Sequence, residues 1–442
     1  MKAVARMFTV STMVLAIIAC QGADLRNIIN SYNTPGFAML FGGNGSDNAT
    51  GVCELPNADF VAVGGSNSTD IPGASPHGDY DGFAARFDST GHVLWQHLYG
   101  GSGLDVAAFI EPTLDGGFIV LGHSASADIA GTPYHGGAED FWVLKLDANG
   151  IVLWQKLYGG NGDDNPEAIS STSDGGFLLA GSTTSTDLSG IASRGGSDGL
   201  LMKIDASGII IWQKVYGGNG DDLFNSVQAA DGDNFMLAGS SKSTDIVGST
   251  NSGLQDFWVM KINSAGTPIW QKMCGGSGDD YVTEMQTIPS GGFFVAGVSY
   301  SNDFAGTVNA GNSDWLAMKL DANGEILWKK MYGGSGGEWS FPVHTVPDEA
   351  LIMTGTSNST DISGLTNHGL VDVLVAKIDG AGSVQWETMY GGSAGDWAHP
   401  YCSTLSGGYL VAGGSFSVDM PGLTSKGSND FYILKLDSEG ND

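Results

Sequence analysis

Short apolar runs, and no long amphipathic ones, organise this chain. Beyond the first twenty residues no window keeps the 3.6-residue apolar spacing of a helix. One stretch shows the pattern. Tyr158 opens a Gly-rich turn holding Asp164, and Ala168 to Thr172 forms a first run. The turn Asp174-Gly175-Gly176 leads into Phe177 to Ser182, and a polar loop leads into Leu200 to Ile204. The turn Asp205-Ala206-Ser207-Gly208 then leads into Ile209 to Tyr216. Each run is rich in β-branched, aromatic and aliphatic residues and is bounded by Gly, Asp and Ser, so each predicts a strand and each boundary a turn.

The same order of four runs recurs along the whole chain. An aromatic followed by Gly-Gly stands at Phe41, Tyr99, Tyr158, Tyr216, Tyr332 and Tyr390, with Cys274 in the aromatic's place in one copy, at spacings of 58 or 59 residues. Seven units of four strands predict an all-β fold, a seven-bladed β-propeller of four-stranded antiparallel blades. Six copies end in a Trp (Trp95, Trp154, Trp212, Trp270, Trp328, Trp386), but the seventh stops at Asp442 before its fourth strand. Phe37 and Phe41 repeat the spacing of that missing strand at the other end. An N-terminal strand within 33–41 is therefore expected to complete the last blade and close the ring, leaving no open sheet edge between first and last units. The propeller spans 33–442, with blades near 42–99, 100–158, 159–216, 217–274, 275–332, 333–390 and 391–442 plus 33–41.

Several columns of the repeat coincide with a known pattern. Ser185-Thr186-Asp187-Leu188-Ser189-Gly190 is one instance of a Ser-x-Asp-apolar-x-Gly loop, and all seven copies keep the Ser, Asp and Gly. With the Asp-Gly turn and the Trp-bearing strand, the repeats resemble the bacterial seven-bladed β-propeller repeat family over residues 37–437. The resemblance implies the fold and a cell-envelope or secreted life, and no particular reaction.

The N-terminus reads as an address. Lys2 and Arg6 precede an apolar run from Met7 to Ala19, which is short for a membrane span. Ile17-Ile18-Ala19-Cys20 resembles a bacterial lipobox, which implies lipid on Cys20, and Gln21 resembles the residues that permit outer-membrane delivery. Residues 1–20 are then a lipoprotein-type signal peptide and 21–32 a tether. An outer-membrane-anchored lipoprotein is expected, attached through lipid only; ordinary secretion is the alternative.

The net charge of −30 follows the repeat. One acid column is Asp47, Asp105, Asp164, Asp222, Asp280, Glu338 and Asp396. A second is Asp70, Asp128, Asp187, Asp245, Asp303, Asp361 and Asp419. A third is Asp81, Asp140, Asp198, Asp256, Asp314, Asp372 and Asp430. All three fall in connections, or at strand ends beside them, that a four-stranded meander sends to one face, here the top. An acidic top face is expected. Seven of the 18 basic residues share one third-strand column, and only Arg194, Lys242 and Lys426 lie in top loops. Such a field repels phosphate, so nucleic acid is not expected as a partner.

Cys53 and Cys402 occupy one column in blades one and seven, neighbours in a closed ring, and are a candidate disulfide pair. Cys274 reads as an inert buried thiol. The Ser-x-Asp loop offers oxygens to calcium, but one carboxylate per loop is few for that ion; side chains accepting N–H bonds within a turn are the plainer reading. No cofactor or metal is otherwise expected. The Asp-x-x-Gly-x-x-x-Trp turn, as in Asp147 to Trp154, is similar to the tryptophan-docking pattern of eight-bladed quinoproteins. This chain has seven copies and no adjacent cysteines, and a Trp packed between blades is expected. Nucleophile-elbow, zinc-protease and nucleotide-loop motifs are absent, so no catalytic residue is assigned.

Departures from the repeat mark the candidate site, since residues common to all blades cannot select a ligand. One position past the first acid column, blades one to four carry Asn48, Val106, Asn165 and Leu223, whereas blades five to seven carry Tyr281, Trp339 and Trp397. With Glu338, His344, Asp396 and His399 these form the expected ligand-binding set, for aromatic faces stack on flat rings while polar neighbours bond their rims. A non-catalytic platform for a glycan, a peptide or an envelope protein is the expected function. The alternative is an envelope hydrolase or lyase using Glu111, Glu167 or Glu284, or a quinoprotein-like enzyme.

Overall fold

A computed structural model describes residues 37–188, 194–289, 291–346, 349–404, 408–420 and 429–441, without the side chains of 37, 340–342 and 399–403. Cys20 and the lipobox lie outside the described residues. The chain forms seven four-stranded antiparallel sheets. Blade three is representative, with strands Asp164–Ser171, Phe177–Thr183, Asp198–Ile204 and Ile210–Tyr216 in spatial order. Its middle strands are buried on both faces, because each blade is sandwiched between two others. That explains continuous apolar runs where a one-sided sheet would alternate.

The ring closes as expected. The strand Phe37–Phe41 pairs antiparallel with Asp430–Leu436, Phe41 opposite Phe431 and Phe37 opposite Lys435, and so supplies the fourth strand of blade seven. Blade seven then packs on blade one, where Phe60, Phe83 and Phe87 share one cluster with Leu410, Phe431 and Ile433. The Phe41 ring lies 5.2 Å from Phe87, edge-on.

Successive blades are tied at the bottom by the aromatic column. Tyr99, Tyr158, Tyr216, Tyr332 and Tyr390 each donate their hydroxyl to the carbonyl of Gly150, Gly208, Gly266, Gly382 and Gly440 in the following blade, at 2.6–2.9 Å. The Trp four residues earlier adds an indole bond to the same turn, as from Trp95 to the Ala148 carbonyl at 3.2 Å. Gly150 holds φ at +78°, and a Cβ there would meet the Trp95 ring at 2.8 Å, so the turn needs glycine for conformation and for space. The Trp is thus an inter-blade lock. Phe41 and Cys274, without a hydroxyl, leave two junctions without the tyrosine bond.

The basic column has a bottom-face role. Arg86, Lys145, Lys203 and Lys261 each pair with an acid of their own blade's first turn, Asp59, Asp115, Asp174 and Asp231. Blade five has no acid in that turn, and Lys319 reaches Glu349 of blade six at 3.4 Å instead.

Candidate functional site

The top face is less acidic than the sequence suggests. Every acid of the first and third columns is at most 1% exposed, which leaves the second column as the open one. Of the 21 acids, fourteen therefore serve the interior. In blade two, Asp105 accepts from the Gly101 N–H at 2.7 Å and from the hydroxyls of Ser124 and Ser126. Ser126 in turn accepts from the Gly103 N–H, and Asp128 from the Ser102 N–H, both at 2.8 Å. The Ser-x-Asp loop is a structural latch, as expected, yet it grips the Gly-Gly connection some 25 residues earlier in the chain and not its own turn. Its Gly73, Gly131, Gly248, Gly306 and Gly364 take positive φ, and its apolar residue, Ile129 for instance, is buried.

The third column faces the first across each blade junction. A Cβ on Gly159 would lie 2.3 Å from Asp140 Oδ1 and 2.6 Å from Asp164 Oδ2, so two carboxyls converge on one glycine. Among the described residues the buried Oδ1 atoms of Asp81, Asp140, Asp256, Asp314 and Asp372 have no hydrogen-bond partner. Burial, with the neighbouring carboxyl adding to it, raises all five above the ordinary aspartate value, Asp256 and Asp314 to about 6.

Within this frame the expected site residues stand at different depths. Glu338 and Asp396 are first-column acids with no exposure. Glu338 accepts from the Gly334 N–H at 2.9 Å and the Ser357 hydroxyl at 2.6 Å, and Asp396 from Gly392 N–H at 2.8 Å and Ser417 at 2.8 Å. Both hold the latch and present nothing to a ligand. His344 stands five residues down its strand from Trp339, about 16 Å away at strand rise, near the bottom end; burial lowers its pKa. Glu111 also lies toward the bottom and accepts from the Ser171 N–H of the next blade at 3.1 Å. Glu284 accepts from Ser226 at 2.5 Å. The side chains of His399 and Cys402 lie outside the described residues. Cys53 is a buried thiol pushed up to about 12 by burial. Cys274 is pushed as high for the same reason and lies 4.0 Å from the Met318 sulfur.

The aromatic residues of blades five to seven do occupy the top rim, and they have company. Tyr281 and Trp339 are 38% and 37% exposed, beside Tyr300 at 40% and Phe416 at 51%. Tyr281 meets Tyr300 edge-on at 6.2 Å, and Trp397 meets Phe416 at 4.8 Å. The Trp397 ring lies over Gly414, where a Cβ would come within 2.8 Å of it. Tyr300 and Phe416 share a column whose other members are Asn67, Ala125, Thr184, Lys242 and Asn358. They were legible as departures from the repeat, but sit on the loop after the second strand, far in sequence from their partners. Lys242 bounds this aromatic shelf on blade four, paired with Asp221 at 3.0 Å. Among the described residues no three His, Cys, Asp or Glu side chains are arranged to hold a metal.

Several solved structures share this architecture. An ulvan lyase, described as a new family of polysaccharide lyase, matches with a TM-score of 0.56 at 12% identity over 92% of this chain and 97% of the lyase. The same lyase bound to -[GlcA(1-4)Rha3S]- gives 0.54 at 12% identity over the same shares. The WD40 domain of Neurospora crassa Pan2 gives 0.47 at 12% identity over 88% of each chain. Likeness at this identity concerns the fold. The chain matches no family model and no curated protein.

Proposed function

We propose that this propeller is a glycan-binding platform of the bacterial cell envelope, held to the membrane by lipid on Cys20, with the shelf of blades five to seven as its binding surface. The observation that carries the reading is the set of Tyr281, Tyr300, Trp339, Trp397 and Phe416 on adjacent blades at one end of the ring. Four of these side chains are exposed and Trp397 is half-buried, and exposed aromatics grouped in this way mark interaction surfaces. Their flat faces match the C–H faces of sugar rings, and hydroxyl rims find hydrogen bonds nearby. A neutral glycan suits the surface better than an anionic one, because the top loops hold three basic residues and Lys242 is already paired. The uronate and sulfate recorded with the ulvan lyase would lack cationic partners here, which weighs against transferring its substrate.

Trp339→Ala and Trp397→Ala should each weaken glycan binding by about ten- to a hundredfold, the ~1–3 kcal/mol of a stacked ring. Val106→Ala on blade two should not change it. A glycan array with melting curves of the same variants checks this; unchanged binding by intact variants would remove the shelf from the site. Cys20→Ser should abolish fatty-acid labelling and release the protein from the membrane fraction, and unchanged partitioning would leave a secreted propeller.

A further inference from the structure

The latch loops frame cavities at blade junctions, and three of these cavities share one composition. His77, His135, Arg194, Ser252, Ala310 and His368 form one loop column, four or five residues before the buried third-column aspartate. Each of the three histidines lines a cavity between its own blade and the next, together with the open second-column acid of that next blade. His77 is joined by Asp128, His135 by Asp187 and His368 by Asp419. The three cavities measure 480, 420 and 360 Å³, whereas the one with Arg194 in the histidine's place measures 190 Å³. The histidine cavities thus fall within the roughly 300–1,000 Å³ of small-molecule sites, and the arginine cavity falls below it.

Each imidazole is set by the buried aspartate of its own blade. The backbone N–H groups of His77, His135 and His368 donate to Oδ2 of Asp81, Asp140 and Asp372 at 2.8, 2.9 and 2.5 Å. Nδ1 of His135 and of His368 lies 3.3 and 3.2 Å from that same oxygen, and Nδ1 of His77 lies 3.8 Å from Asp81 Oδ1. A carboxyl facing Nδ1 leaves Nε2 to a ligand. The second-column acids spend one oxygen on the latch: Oδ1 of Asp128, Asp187 and Asp419 accepts the N–H of Ser102, Asn161 and Ser393 at 2.8–2.9 Å. Their Oδ2 atoms bond no described residue. The walls are aliphatic, Leu157, Leu188 and Ile210 in the His135 cavity and Met389 and Met420 in the His368 cavity. In the His77 cavity Gln155 adds an amide, fixed by the Trp142 indole on its Oε1 at 3.2 Å and by its own bond to the Ala130 carbonyl at 3.3 Å.

We propose that the three histidine cavities are binding sites for a neutral monosaccharide unit, separate from the aromatic shelf and independent of the reading given for it. A sugar's adjacent hydroxyls donate to the free carboxylate oxygen and bond the imidazole Nε2, while its C–H face lies against the aliphatic wall. Hydrogen bonds to an ionised carboxylate are the stronger kind, so the aspartate anchors the ring and the histidine selects its orientation. Other ligand classes fit less well. An anion would be repelled by the open aspartate, and a wholly apolar ligand would strip water from that carboxylate without replacing its hydrogen bonds. Calcium seeks six to eight oxygens, and among the described residues no three His, Cys, Asp or Glu side chains are grouped to hold a metal. Three such sites on one ring make the binding of a branched or densely displayed glycan multivalent.

The test titrates the full chain with the methyl glycosides of glucose, galactose, mannose and N-acetylglucosamine, followed by saturation-transfer NMR and equilibrium dialysis. The expected result is saturable binding of at least one of them at three sites per chain. His77→Ala, His135→Ala and His368→Ala should each remove one site, and the triple variant should bind about tenfold more weakly or worse, the loss of one hydrogen bond per site. The bonds from these residues to Asp81, Asp140 and Asp372 that use the backbone N–H survive the substitution, so the melting curve should hold. His135→Arg copies what the chain already carries at Arg194 and should close its cavity with the fold kept. Trp339→Ala and Trp397→Ala should leave uptake of these monosaccharides unchanged. Binding of none of the four overturns the proposal, as does binding that survives the triple variant in full. Binding that is lost in the two Trp variants and kept in the triple variant puts the sugar on the shelf, which overturns these sites and leaves the platform reading standing.

Discussion

Deleting residues 33–41 should abolish the cooperative melting of this protein or turn it into an aggregating species. The strand Phe37–Phe41 is the fourth strand of blade seven and contributes Met39 and Phe41 to the cluster joining blades seven and one. Without it the full length of Asp430–Leu436 becomes a free edge, a template for pairing with other chains. Phe41→Ala is the milder version. It removes a ring packed on Phe83, Phe87 and Phe431 and should cost about 3 kcal/mol. This junction also lacks the tyrosine hydroxyl bond present at five others, so it has less to fall back on. Differential scanning calorimetry with size-exclusion chromatography decides the matter: a monomeric deletion variant with the parental melting curve would show that the ring is not held this way.

The protein should be more stable near pH 5 than near pH 8. Burial raises Glu167 and Glu284 to about 7 and Asp256 and Asp314 to about 6. A carboxyl whose folded pKa lies above its unfolded value contributes stability that is fully present below the unfolded value. That contribution is lost as pH rises through the folded one. The window is therefore about pH 4 to 7, with stability falling across it. A carboxyl moved from 4.5 to about 7 forfeits roughly 3 kcal/mol by pH 8. The opposite group is smaller in effect: Asp115 and Asp174, bonded to a Thr hydroxyl and a Lys ammonium, are lowered to about 2. Both are exposed, and their contribution disappears only below about pH 4. Melting temperature measured from pH 4 to 8 should peak on the acid side. Glu284→Gln should flatten the alkaline fall by several degrees, and a profile that rises toward pH 8 would contradict the burial of these groups as ionisable carboxyls.

How far the sequence reaches can be judged from particular residues. The columns beginning at Tyr99 and its counterparts determined the blade count, the four strands of each blade and the closing role of the strand at Phe41. Each depends on local chemistry that repeats: β-branched runs, Asp-Gly turns and a fixed length between them. The latch loop and the Trp lock were legible for the same reason, as was the rim position of Tyr281, Trp339 and Trp397.

Depth and meeting were decided by tertiary structure alone. Asp105 and Asp128 look alike in sequence, yet one is enclosed by Ser124 and Ser126 while the other stays open, because enclosure depends on a loop some twenty residues on and on the next blade. Glu338 and Trp339 are neighbours in the chain, but the two-residue period of a strand sends one inward and the other to the rim. His344 shares their strand and lies at its far end. His123 and Glu139 belong to two different columns of blade two, and no spacing rule relates them. They meet because the second and third strands of blade two pair side by side, which sets His123 Nδ1 2.9 Å from a Glu139 carboxylate oxygen. A repeat specifies what each blade is, and packing around the ring specifies which of its exceptions stand together.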